Sequence, residues 1–153
     1  MKKLLAIGLV LALLFPLQAL AQTWHTANQT TVGWGAVTTL SDGTDIPSGD
    51  VVKYQVYLAN AKTDPNKANP TLVGEVETLQ ETITLNVEGN YFVGVKARRY
   101  IVNPDSSQEL VGEASISWSD DPTYAANGED FGLRYFLPPA AAGGLSPVSA
   151  GGR

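Results

Sequence analysis

The 153-residue chain contains a single histidine, His25, and no cysteine, so the side chains that most often carry nucleophilic and proton-transfer chemistry are nearly missing. A thiol nucleophile is ruled out. A serine nucleophile would need His25 as its base, yet His25 lies in a terminal segment expected to fray, and no serine occupies a Gly-x-Ser-x-Gly elbow. Zinc sites of the ordinary kind draw on several His or Cys ligands, which this chain cannot supply. Carboxylates are plentiful, but a glycosidase pair needs two acids held about 5 to 10 Å apart in a cleft. Here the acids fall in turns and at outward strand positions, where solvated surface is the simpler reading. Asp42, Asp45 and Asp50 offer oxygen ligands for a hard cation within Ser41–Asp50, but the spacing is not that of a twelve-residue EF-hand loop. A plain acidic turn is expected, with no catalytic residue, no metal site and no cofactor.

Binding chemistry is better represented than catalysis. Tyr57 on one strand and Phe92, Lys96, Arg98 and Tyr100 on another gather aromatic and basic side chains on one outward face of an otherwise acidic protein. Such residues are enriched at binding hot spots because they bury much area and keep a polar or charged handle. These five are the candidate partner-binding residues. Tyr57, Phe92 and Tyr100 could also supply stacking faces for sugar rings. Two other readings of the same face stay open: ordinary cross-strand pairing of aromatics with long basic stems, and cover by the chain's own tail.

The elements that must position this face follow from period-two alternation between turn-rich segments, with no helical period of useful length. Thr30, Val32, Trp34 and Ala36 alternate with Thr31, Gly33 and Gly35, which turns Trp34 inward. After the turn at Ser41–Asp50, Val52, Tyr54, Val56 and Leu58 form one face of a strand and Val51, Lys53, Gln55 and Tyr57 the other. Asn60–Pro70, with Asp64-Pro65 and Asn69-Pro70, predicts a long loop. A short edge strand is expected over Leu72–Val76. Ile83, Leu85 and Val87 alternate into a corner, beyond which Tyr91, Val93, Val95 and Ala97 face the core. Glu109–Trp118 is the last expected strand, with a bulge or register change at the adjacent apolar residues Leu110 and Val111.

Leu85 and Tyr91, six residues apart, resemble a tyrosine corner, in which a Tyr hydroxyl bonds back to backbone a few residues upstream and pins a crossover between sheets. With Trp34 and Tyr54 on the preceding strands, residues 22–121 resemble the fibronectin type III domain. That resemblance implies an all-β, immunoglobulin-like two-sheet sandwich without disulfides, the strands from Gln29 to Trp118 standing as B, C, C′, E, F and G. It implies little about activity, since this sandwich hosts many roles. The turn Asn103–Gln108 lacks Arg-Gly-Asp, so integrin-type adhesion is not carried over.

Both ends depart from the strand pattern. Residues 1–21 combine Lys2 and Lys3, the apolar run Leu4–Phe15 and Ala19-Leu20-Ala21, which reads as a secretory signal peptide cleaved after Ala21. The interruptions at Pro16 and Gln18 argue against a retained span. Without Lys2 and Lys3 the ten basic residues fall to eight against fifteen acidic ones, a net charge of −7. An acidic surface of that size disfavours nucleic acid and anionic membranes. Residues 122–153 read as a low-complexity, largely disordered tail, except for the aromatic island Phe131–Phe136. Disordered chains are generally poor in aromatics, so the island is expected to dock as an added strand or in a groove. The outward face bearing Lys96 and Arg98 is its expected receptor, with Glu129 and Asp130 close by. The expectation for the whole is a bacterial exported protein of the periplasm, cell surface or medium. It would act as a non-catalytic interaction or assembly module, with a protein partner or its own copies as ligand and carbohydrate as the alternative.

Overall fold

The computed structural model describes residues 22–139. The expected leader at 1–21 and the last residues, 140–153, lie outside that range. Nine strands follow in order: β1 (Thr23–Thr26), β2 (Gln29–Gly33), β3 (Val51–Asn60), β4 (Thr71–Val76), β5 (Gln80–Thr84), β6 (Gly89–Val102), β7 (Gln108–Glu113), β8 (Ser117–Trp118) and β9 (Phe131–Tyr135). They form an all-β sandwich of two unequal sheets. The larger runs β4-β3-β6, continues through β7, β8 and β9 on the far edge of β6, and ends in β1; the smaller is the β2–β5 pair. Among the described residues no helix is long and apolar enough to cross a membrane.

Alternation on the central pair works as the sequence predicts. β3 and β6 run antiparallel from Val51 opposite Tyr100 to Asn60 opposite Tyr91, and side chains two apart share a face. Tyr54, Val56 and Val93 are buried on the inner face. Val56, Val93, Ile83, Leu85 and Leu133 form the core cluster, with Val32, Trp34, Leu58, Tyr91, Phe131 and Tyr135 packed against it. At the corner the Tyr91 hydroxyl donates to the Val87 carbonyl at 2.9 Å. Gly89 just before it takes a φ of +156°, and a Cβ there would stand 2.7 Å from Asn60 Nδ2 and 3.3 Å from the Tyr91 ring.

The far edge of β6 corrects the expected boundary at residue 121. Three successive pieces of chain pair with it: β7 at Arg98–Val102, β8 at Gly94–Val95 and β9 at Gly89–Tyr91. The aromatic island is therefore the last third of an interrupted strand beside β6, and Leu133 is 2% exposed in the core. Ser119 makes the join. Its amide donates to the Val93 carbonyl (2.8 Å) and its carbonyl accepts from the Phe131 amide (2.7 Å). Its hydroxyl accepts from the Val93 amide at 3.0 Å and donates to the Phe131 carbonyl at 2.9 Å. A buried amide that loses its ladder partner must find another acceptor, and the hydroxyl supplies it while the chain detours through 120–130. The island thus docks as an added strand, in the plane of the sheet rather than on its outward face.

The expected frayed segment around His25 is likewise a strand. β1 runs parallel to β9, from Thr23 opposite Phe131 to Thr26 opposite Arg134. The His25 ring meets Phe131 edge-on at 5.9 Å. Parallel pairing needs a distant partner strand, which the alternation of residues 23–28 alone cannot reveal.

Candidate functional site

The candidate residues share the outward face of β3 and β6, but the structure divides them into two groups. Across the pair, Val51 faces Tyr100, Lys53 faces Arg98, Gln55 faces Lys96 and Tyr57 faces Gly94. β4 brings Glu75 beside Gln55 and β7 brings Glu113 opposite Arg98. The second placement depends on a bulge. Tyr100 pairs with Leu110 but Arg99 pairs with Gly112, so Val111 is the extra residue. Without that slip Gly112 would face Arg98, and the guanidinium would lose a carboxylate.

The upper group is an interlocked polar network. Arg98 Nη1 donates to Glu75 Oε2 at 2.7 Å and Tyr100 Oη donates to Glu75 Oε1 at 3.2 Å. Arg98 Nε lies 3.4 Å from Glu113 Oε2, while Lys96 Nζ donates to Glu113 Oε1 at 3.0 Å. Lys53 pairs with Glu77 at 3.4 Å, and Tyr57 Oη donates to Gln55 Oε1 at 2.6 Å. The Tyr100 ring carries Lys53 Nζ at 5.3 Å and the Arg98 guanidinium at 5.5 Å from its centre. Lys53, Lys96 and Arg98 are balanced by Glu75, Glu77 and Glu113, so the basic patch expected from sequence is neutral.

The titrating groups report the same balance. Burial pushes Glu75 upward, but hydrogen bonds from Arg98 and Tyr100 outweigh it and hold the carboxyl below its ordinary value. Glu113 is lowered chiefly by the hydrogen bond from Lys96. Tyr100 is raised by burial first and by its bond to Glu75 second.

Phe92 does not join this group. It lies eight positions from Tyr100 along β6, roughly 26 Å at about 3.3 Å per residue. Its ring sits 5.7 Å from that of Trp24, with Lys67 Nζ 5.3 Å above it. Lys67 also caps Trp118 at 5.6 Å and binds Asp120 at 2.7 Å. Between the two groups Ile116 and Trp118 lean over Gly94, where an added Cβ would meet them at 2.5 and 2.8 Å. Phe92 is therefore half-buried among Trp24 and Lys67, and the three aromatics proposed for sugar stacking do not form one platform.

Sequence reasoning missed Glu75 and Glu113, whose roles depend on strand register, and missed the exposed apolar end of the face. β6 and β7 run past the start of β3 as a free hairpin. Ile101, Val102, Leu110 and Val111 there are 39–41% exposed. Tyr100 pairs with Leu110, and Val102, two residues on, shares its face, so the polar network grades into an apolar rim.

The acidic turn is held by its own bonds. Asp42 accepts from the amide and hydroxyl of Thr44 at 3.0 and 2.6 Å, and Asp50 pairs with Arg99 at 2.6 Å. Among the described residues no group of three or more His, Asp or Glu is arranged to hold a metal ion. No protein-family model, curated protein or solved structure matches this chain.

Proposed function

We propose that this chain is an exported, non-catalytic interaction module, resembling a fibronectin type III domain, that holds a protein partner through the outward face of β3–β6 and the free end of the β6–β7 hairpin. One observation carries the reading: exposed Val102 and Leu110 adjoin Tyr100 on a hairpin that projects beyond β3. An apolar rim beside a pinned aromatic suits a protein surface, because rigid side chains lose little entropy on binding. The neutral network beneath serves as floor rather than as a charge lure. Tyr57, Lys96, Arg98 and Tyr100 are its parts, while Phe92 supports the fold from beneath Trp24. The strand order and the Tyr91–Val87 bond support the family resemblance; export and a bacterial envelope location rest on residues 1–21.

The test is site-specific photocrosslinking in the producing bacterium, with the crosslinker at Leu110 and, as control, at Val87, which is exposed elsewhere. A discrete protein adduct from Leu110 alone, lost on Tyr100→Ala, is expected in the exported fraction. Adducts from neither position, or glycan binding that needs Tyr57, would overturn the protein-partner reading.

A further inference from the structure

The smaller sheet leaves one of its edges open inside the molecule. β2 pairs only with β5 among the described residues. Leu85 donates to the Asn28 carbonyl and Trp34 to the Leu79 carbonyl, which fixes the phase of the ladder. Antiparallel partners alternate between pairs that exchange bonds and pairs that do not. Even-numbered residues therefore bond β5, and the amides and carbonyls of Thr31 and Gly33 point the other way, with no partner among the described residues.

That edge opens into a cleft. Val32–Gly35 forms one wall and Ser117–Ser119 with Tyr124–Ala126 the other, Val93 and Val95 being the floor of a cavity of about 310 Å³. A second cavity of about 330 Å³ continues the line, with Val37 and Thr39–Asp42 on one side, Gly112–Ala114 on the other and Arg98 and Arg99 between them, so this end is charged. The two walls run antiparallel and are bridged across their gap by no strand. From Ala27 to Ser41 the β2 wall carries no charged residue, whereas three edge strands carry acids, Glu75 on β4, Glu81 on β5, and Glu109 and Glu113 on β7, and the edge strand β1 carries none. Natural edges are usually guarded by charge, Pro or cover; β2 has no charge and no Pro, and the facing wall leaves a cavity rather than a paired strand beside it.

We propose that this cleft is a second binding site, distinct from the β6–β7 hairpin, and that it takes one extended, uncharged segment of another polypeptide as an added strand on β2. Thr31 and Gly33 supply main-chain bonds, and side chains alternating at period two enter the gap over Val93 and Val95, the strand-addition mode of recognition. Shape decides against a folded second copy. The wall of Ser117–Ser119 and Tyr124–Ala126 faces Val32–Gly35 across the cavity, where a partner sandwich would have to sit. Charge decides the chemistry of the segment over Val93 and Val95: none of the residues lining that first cavity is charged, so a charged side chain there finds no counter-ion and costs desolvation.

The experiment pans a phage-displayed nonapeptide library on the chain from Gln22 to Arg153 and follows amide exchange with the selected peptide bound. The expected result is a consensus of uncharged residues alternating apolar and polar, with exchange at Thr31 and Gly33 slowed. Thr31→Pro removes an amide that β5 does not use, and Ala126→Glu puts a charge on the exposed wall. Each is expected to weaken binding about tenfold or more, about 1.4 kcal/mol, with the melting temperature unchanged. Should Thr31→Pro fail to fold, Ala126→Glu decides alone. No enrichment, a charged consensus, or protection that spares Thr31 and Gly33 would overturn the proposal. So would amides at Thr31 and Gly33 already protected in the free chain, whether released by deleting residues 140–153 or by dilution, since the occupant would then be the chain's own end or a second copy.

Discussion

The two halves of the β3–β6 outward face are built from the same residue types and do different things. Around Phe92, aromatic rings and Lys67 pack over one another and leave the ring half-buried. Around Tyr100, also half-buried, aromatic and cationic groups are held by Glu75 and Glu113 and adjoin exposed Val102 and Leu110. The difference comes from the third element that reaches each half. The long loop delivers Lys67, and β1 delivers Trp24, over Phe92. Only the edges of β4 and β7 reach Tyr100 and Arg98, and they bring carboxylates. Aromatic and basic side chains on an outward strand thus do not mark a binding site until it is known what lies over them.

The comparison breaks most visibly under truncation of the covered half. Phe92→Ala removes the half-buried ring between Trp24 and Lys67, and a loss of about 1 to 3 kcal/mol, below the range for a fully buried Phe, is expected in a denaturant titration. Tyr100→Ala in the open half, which leaves no cover to collapse, is expected to cost less while abolishing partner capture. Equal losses from the two substitutions would erase the distinction.

A smaller effect is expected at the corner that orients both halves. Tyr91→Phe deletes the bond to Val87, which is solvent-exposed, so a loss of about 0.5 to 1.5 kcal/mol is expected, the ordinary net worth of a hydrogen bond. Hydrogen exchange should then quicken at Gly89–Tyr91, where β9 pairs.

The open half should carry the acid sensitivity. Glu75 and Glu113 have folded values below their ordinary one of 4.5. Their contribution is therefore present above about pH 4.5 and lost as pH falls through the lowered values. Melting curves between neutral pH and about pH 3 should fall less steeply for Glu75→Gln than for the parent. At neutral pH that substitution is expected to cost only about 0 to 1 kcal/mol, the range for solvent-screened ion pairs. A parent curve no steeper than the variant's would show that the network adds nothing.

Much of the architecture was legible in the residues. Val52–Leu58 and Tyr91–Ala97 alternate so regularly that their inner faces could be read directly, and Leu110-Val111 announced the bulge that the structure places at Val111. Phe131–Phe136 signalled docking by being too aromatic for a free tail. The receptor was not legible, because the detour through 120–130 hides the continuity of β9 with β7 and β8, and it is Ser119 that restores it. The parallel partner of β1 was hidden for the same reason.

Alternation, turn residues and the Leu85–Tyr91 spacing are local properties, governed by side-chain period and backbone sterics within a few residues, so the sequence by itself determined an all-β sandwich and the direction each central side chain faces. Which carboxylates meet Arg98, what covers Phe92 and which strand edge stays open depend on register between segments far apart in the chain. A shift of one residue exchanges every neighbour. Tertiary structure alone decided these, through the bulge at Val111 and the hydrogen bonds of Ser119.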